Sequence, residues 1–350
     1  MNSFKNLFTG KFAVPRFFII IILLALILPV QLMAFPRRDR SSNEVVIWTY
    51  SSFISRWGPG PEVARIFEEQ TGIKVTFVEH RDAGSILARL LQEGSRANAD
   101  IVLGLDQNMM YRALDSGLLE AYRPIGAEHI LPELVLDPQW RLIPFDYSYF
   151  AINYDAQRLT NPPRSLEDLT QPRFANSLVL LDPRTSSPGL GFFGWVKHVY
   201  GDAWLDYWER LQPSILTISE SWSTGYALYT RGEAPLVLSY TTSPAYHLEN
   251  EDTDRYRALI FAEGHPLQIE AAGLLRSAPN WENARAFLDF MISPAFQELI
   301  PLNNWMYPVI DLPLPASFTA NPKSDRPLMP TPATEAELNQ WASLMQRLGR

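Results

Sequence analysis

Residues 143–154 alternate apolar and polar side chains at period two, over a length that is long for one strand. A run of this kind is long enough to leave one folded lobe and enter a second. On its amino-terminal side, strand and helix signals alternate. Residues 45–50 form a β-rich apolar run, and Pro61 suits the first helical position of a helix over 62–70 that Gly72 ends. A strand over 74–79, a helix over 85–93 closed by Gly94, a strand over 100–105 and a helix up to Gly117 follow. This order predicts a parallel open sheet, whose ligands sit beyond the carboxyl ends of the strands. Those ends carry Tyr50 with nearby Trp57, then Asp82 to Ser85, then Asp106 to Asn108.

On the far side of the long run, strands are expected at 178–181, 215–219 and 236–240, with a helix over 189–200. Residues 258–262 and 267–272 carry the chain back, and a proline-rich connector over 312–332 precedes an amphipathic helix over 335–348. The expected organisation is therefore α/β with two lobes. Lobe 1 is discontinuous, 41–145 plus 262–311; lobe 2 is 146–261; residues 312–350 form the connector and last helix. A chain of 350 residues suits two such cores.

The first forty residues differ from the rest. Lys5, Lys11 and Arg16 precede an apolar run that extends from Phe17 to Ala34, the pattern of an export signal. The run is long for a cleaved signal, and Leu32-Met33-Ala34 is a poor small-x-small site, so an uncleaved anchor over 17–34 is the alternative. Residues 1–40 hold six Lys/Arg and one Asp, a net of +5, which leaves −13 for the rest of a chain whose total is −8. That balance argues against nucleic acid as a partner, because phosphate contacts need clustered Lys and Arg. The chain has no cysteine, which excludes disulfides, thiolate metal sites and cysteine nucleophiles. Its five histidines lack metal-ligand spacing, so no metal site is expected.

Two strand-to-helix junctions carry extra hydroxyls before a proline, at Ser186-Ser187-Pro188 and at Thr241-Thr242-Ser243-Pro244. Free N–H groups at helix starts, with hydroxyls beside them, suit an anionic group such as phosphate. Tyr240 and Tyr246 bracket the second junction and suit a flat ring. Ser293-Pro294, with no such neighbours, reads as a plain helix start. Trp57, Trp222 and Trp305 lie among small or polar residues and suit a ligand, whereas Trp195, Trp204 and Trp208 read as core. Asp82 and Asp106 suit a cationic ring or an exocyclic amine, or else a helix cap. No catalytic triad or phosphate loop is recognisable, and no cofactor is expected.

The chain resembles the periplasmic thiamine-binding proteins of bacterial ABC importers. The likeness rests on Trp57-Gly58-Pro59-Gly60-Pro61, residues 99–106, Pro144-Phe145-Asp146-Tyr147, residues 182–186, residues 236–247 and Asn304-Trp305-Met306-Tyr307-Pro308. It implies a type II periplasmic-binding-protein fold, with crossing hinge strands and a ligand cleft between the lobes. It also implies thiamine and its mono- or diphosphate as ligands, a permease with its ATPase as partners, a periplasmic location and no enzymatic activity. Carried over by motif, the phosphate-binding part falls on Asp82-Ala83, Ser186-Ser187 and Tyr240-Thr241-Thr242-Ser243. The ring contacts fall on Trp222, Tyr246 and Trp305, with Tyr50 and Trp57 at the entrance or ring pocket. The chain departs from the family at Ala83, where the family has glycine; Gly84 follows. The alternatives left open are a binding protein for another small cationic or phosphorylated solute, and a thiamine-degrading enzyme of related fold. The latter's cysteine nucleophile is missing here.

Overall fold

Strand β1 (Glu44–Tyr50) lies between β2 (Lys74–His80) and β3 (Ile101–Asp106), parallel to both, in the computed structural model. The structure describes residues 43–320 and 324–349. The export or anchor segment expected at 1–40 falls outside them. Among the described residues no helix is long and apolar enough to cross a membrane.

Helices α1 (Gly60–Thr71), α2 (Ala83–Glu93) and α3 (Gln107–Asp115) follow β1, β2 and β3. β1 and β3 are buried on both faces, as strands of a parallel sheet covered by helices must be. The first helix ends at Gly72, whose left-handed φ of 72° lets its N–H reach Glu68 O. A short strand β4 (Leu119–Glu120) precedes the long strand β5 (Ile143–Asp155).

The second half of the chain supplies β6 (Leu178–Leu181), α4 (Ser187–Tyr200), α5 (Trp204–Leu211), β7 (Ile215–Ser219), α6 (Trp222–Thr230), β8 (Leu236–Tyr240), α7 (Pro244–Glu251) and β9 (Tyr256–Ala258). Then come β10 (His265–Leu275), α8 (Trp281–Ile292), α9 (Pro294–Gln297), β11 (Tyr307–Pro308), α10 (Ala316–Ala320), β12 (Pro327–Leu328) and α11 (Glu335–Arg347). The main sheet path runs β2-β1-β3-β10-β5-β8-β6-β7.

β5 changes partners along its length. Residues Ile143 to Tyr149 pair with β10, and Phe150 to Tyr154 pair with β8. β10 crosses in the opposite direction: Leu274 pairs with β3, while His265 packs against Trp195 at 4.8 Å between ring centroids. These two strands therefore join two separate apolar cores. One gathers Ile47, Phe67, Leu103 and Phe287; the other gathers Phe192, Trp195, Trp208 and Leu236.

The carboxy-terminal segment differs from a plain connector. It contains α10 and β12, and β12 pairs with the start of β10. α11 packs into the second core through Trp341, Leu344 and Met345, and Lys197 holds Glu337 at 2.6 Å. Burying an aromatic ring contributes about 2–3 kcal/mol, so the apolar stripe of α11 accounts for its docking.

Candidate functional site

A cavity of about 360 Å³ lies where the two cores face each other, below the carboxyl ends of β1, β2 and β8. Three kinds of wall line it: aromatic rings, helix starts, and buried acids.

The rings come from both sides. Trp222, at the start of α6, stacks on Tyr226 at 4.9 Å and 21°, and Trp57 meets it edge-on at 6.1 Å. Its indole N–H donates to Ser239 Oγ at 2.9 Å, which fixes the ring plane. Tyr246 and Trp305 form a second edge-to-face pair at 5.2 Å and 88°. Trp305 has a left-handed φ of 58°, unusual for a bulky residue, after a π-turn over Ile300–Asn304. Trp57 is 42% exposed and stands at the entrance.

Tyr226 O–H and His247 are 2.9 Å apart, and His247 Nδ1 is 2.7 Å from Glu251. A carboxylate only accepts, so Nδ1 carries the proton and Nε2 receives the Tyr226 hydroxyl. Burial lowers the His247 pKa, against an opposing pull from Glu251. His247 is thus the middle of a relay whose outer members, Tyr226 and Glu251, both line the cavity.

At the helix starts, Asp82 caps α2, with Ser85 completing a capping box. Its carboxylate also crosses the cleft to accept Trp222 N–H at 3.0 Å and Ser187 N–H at 3.4 Å. Burial raises its pKa, and these backbone donors pull the other way. Gly84 lies so close to the opposite lobe that a Cβ there would sit 2.5 Å from Thr185 O. Arg81 pairs with Glu220 beside this contact. The N–H groups at the starts of α4 and α6 already hold an anion, and that anion is Asp82.

The floor is acidic. Tyr50 O–H donates to Glu270 Oε2 at 2.7 Å, and Asn304 Nδ2 donates to Asp146 Oδ2 at 2.6 Å. Tyr50 reaches this position because its ring lies over Gly104, where any Cβ would be 2.4 Å away. Burial, then Glu270, raises the Tyr50 pKa well above the ordinary phenol range. Asp106 caps α3 through Asn108 N–H at 2.9 Å, and burial pushes its pKa up to about 6.

Of the residues expected from the sequence, the structure brings Tyr50, Trp57, Asp82, Ser187, Trp222, Tyr240, Ser243, Tyr246 and Trp305 onto the cavity wall. Four are placed elsewhere. Thr241 and Thr242 are fully buried behind the wall, where Thr242 Oγ1 bonds Ser148 Oγ at 2.9 Å. Ser186 and Ala83 are buried beside the interlobe contact and do not line the cavity. The hydroxyl cluster of the second junction therefore contributes only Ser243, because the turn that follows β8 folds both threonines inward. None of the three Ser-Pro helix starts uses its serine hydroxyl to cap the following helix.

Sequence reasoning missed Glu270, Tyr226, Glu251 and Asn304. Glu270 carried a usable signal, being a lone charge inside the apolar run 267–275. Tyr226 did not, because α6 has no apolar stripe to reveal a helix.

The family model for "Bacterial extracellular solute-binding protein" matches residues 97–334. The thiamine-binding periplasmic protein of Brucella abortus is 44% identical over 318 residues, covering 88% of this chain and 94% of that protein. The protein of the same name from Escherichia coli is 43% identical over 307 residues, covering 87% and 92%. The solved structure of a periplasmic thiamin-binding protein superposes with a TM-score of 0.81 at 40% identity, covering 90% of this chain and 99% of that one.

Proposed function

Because the chain belongs to the bacterial extracellular solute-binding proteins, in the family of thiamine-binding periplasmic proteins, we propose that it captures thiamine and its mono- and diphosphate outside the cytoplasm and delivers them to an ABC-importer permease. The observation that carries this reading is the cavity wall. It sets Trp222, Tyr226, Tyr246 and Trp305 around a floor formed by Glu270, and its lining arginine, Arg81, is already paired. Ring faces attract a thiazolium through their quadrupole, each contact contributing about 0.5–2 kcal/mol. The Tyr226–His247–Glu251 relay leaves hydrogen-bond acceptors beside the rings, which suit the amine of an aminopyrimidine.

The phosphate end is read at the starts of α4 and α6. A phosphorylated ligand takes the N–H groups of Ser187 and Trp222 in place of the Asp82 carboxylate, while Ser243 lies nearby on the wall. The cavity residues are read as binding groups rather than as catalysts, and the ATPase is met only through the permease. Export rests on the periplasmic relatives together with the amino-terminal signal.

Native mass spectrometry of the exported protein tests the proposal. The expected spectrum shows a one-to-one complex with thiamine or a thiamine phosphate, either co-purified or after addition. A protein that stays unliganded with all three overturns it.

A further inference from the structure

Asp106, Glu270 and Asp146 lie in one row across three neighbouring strands, because Glu270 is the register partner of Asp106 on β3 and of Asp146 on β5. Paired residues of antiparallel strands project to the same face, with Cβ atoms about 5 Å apart. All three are nearly or fully buried, and Glu270 lines the cavity. Three carboxylates so close cannot all stay ionised without counter-charge.

The groups facing the pair come from every surrounding element. Tyr50 on β1 donates to Glu270, and Asn304 from the turn before β11 donates to Asp146 and, at 3.1 Å, to Tyr50. Asp82 at the start of α2 and Asp106 add negative charge, and Tyr240 on β8 is a neutral phenol beside them. Asp106 is answered separately, by Asn108, Met109 and Gln268. The charges that press most on Glu270 are those of Asp146, Asp106 and Asp82, all acidic. Asp146 Oδ1 is fully buried and has no donor. The carboxyl group of Glu270 lies within hydrogen-bonding reach of Asp146. Burial accordingly pushes Asp146 up to about 8 and Glu270 well above the usual carboxylate range.

We propose that Asp146 and Glu270 share one proton while the site is empty and release it to solvent when a cationic ring enters above Glu270. The pair is then the element that recognises the ligand's charge, and capture is an exchange of a proton for an organic cation. This rests on the thiamine reading of the cavity. Because a proton is lost on binding, affinity rises with pH, by up to about tenfold per unit below the pair's own titration.

Isothermal titration calorimetry of the whole exported protein with thiamine tests this in two buffers of different ionisation enthalpy near about pH 7, with further titrations between about pH 6.5 and 8. The expected result is a buffer-dependent enthalpy corresponding to release of about one proton, and an affinity that climbs with pH. An uncharged-ring analogue of thiamine is expected to bind more weakly and to release none. Glu270→Gln is expected to weaken thiamine binding and abolish the release; Asp146→Asn gives the same readout if the first variant does not fold. Thiamine binding with equal enthalpy in both buffers and flat affinity overturns the exchange and leaves the thiamine reading standing. Absence of thiamine binding altogether removes both.

Discussion

The Asp82 carboxylate, at the start of α2, accepts the backbone N–H of Trp222, at the start of α6, across the cleft at 3.0 Å. One side chain thereby caps its own helix and latches the opposite lobe. A hydrogen bond to a charged group contributes about 1.5–3 kcal/mol. Asp82→Ala is therefore expected to lower the closed population and weaken thiamine binding by about tenfold or more. Small-angle scattering with and without thiamine reads the first effect, and titration reads the second. An unchanged affinity would show that the latch carries no weight in closure.

Gly84 supplies an independent check on the same contact. A methyl group there would lie 2.5 Å from Thr185 O, a backbone atom that cannot swing aside. Gly84→Ala is expected to weaken thiamine binding by at least about tenfold while shifting the melting temperature of the empty protein by only a few degrees. Equal losses of stability and affinity would point instead to damage within the first lobe.

The buried acids predict how stability responds to pH. Asp146 and Glu270 have folded-state pKa values above their unfolded ones, Asp146 at about 8. The folded state thus holds more protons through this window; the contribution is fully present below the unfolded value of about 4 and is lost progressively as pH rises to about 8. The empty protein is expected to melt at a higher temperature near about pH 5.5 than near about pH 8, by a free energy on the order of 2 kcal/mol. Glu270→Gln flattens this dependence and stabilises the empty protein at neutral pH, while weakening ligand binding. Saturating thiamine is expected to flatten it in the wild type.

Trp222 sits at the centre of the ring wall, stacked on Tyr226 and edge-on to Trp57. Trp222→Phe keeps a ring but loses the indole and its bond to Ser239. It is expected to remove most of the ligand-induced fluorescence change and to weaken thiamine binding several-fold, on the order of 1 kcal/mol. A full fluorescence response in the variant would move the ring pocket to Trp305.

Much of this architecture is legible in the sequence because its signals are local. The period-two run at 143–154 marks β5 as the crossing strand, and Gly72 and Gly94 end their helices where expected. α6 was not legible, since Ser223, Thr224 and Gly225 break any helical stripe and only the Ser221 cap announces it. The site shows the same division. Aromatic residues in polar surroundings, such as Trp57 and Trp222, identify themselves. Thr241 and Thr242 share a motif with Ser243 yet face away, because the turn after β8 directs their side chains into the interior, where Thr242 meets Ser148. In the row formed by Asp106, Glu270 and Asp146, Glu270 is more than a hundred positions from either partner, and only the register of β10 brings them together.

The central claim is that the ring-walled cavity holds thiamine, and tryptophan fluorescence tests it most directly because Trp57, Trp222 and Trp305 all line that cavity. Titration of the purified protein with thiamine, and separately with its mono- and diphosphate, is expected to give saturable quenching with a micromolar or tighter midpoint. No saturable quench with any of the three would contradict the account.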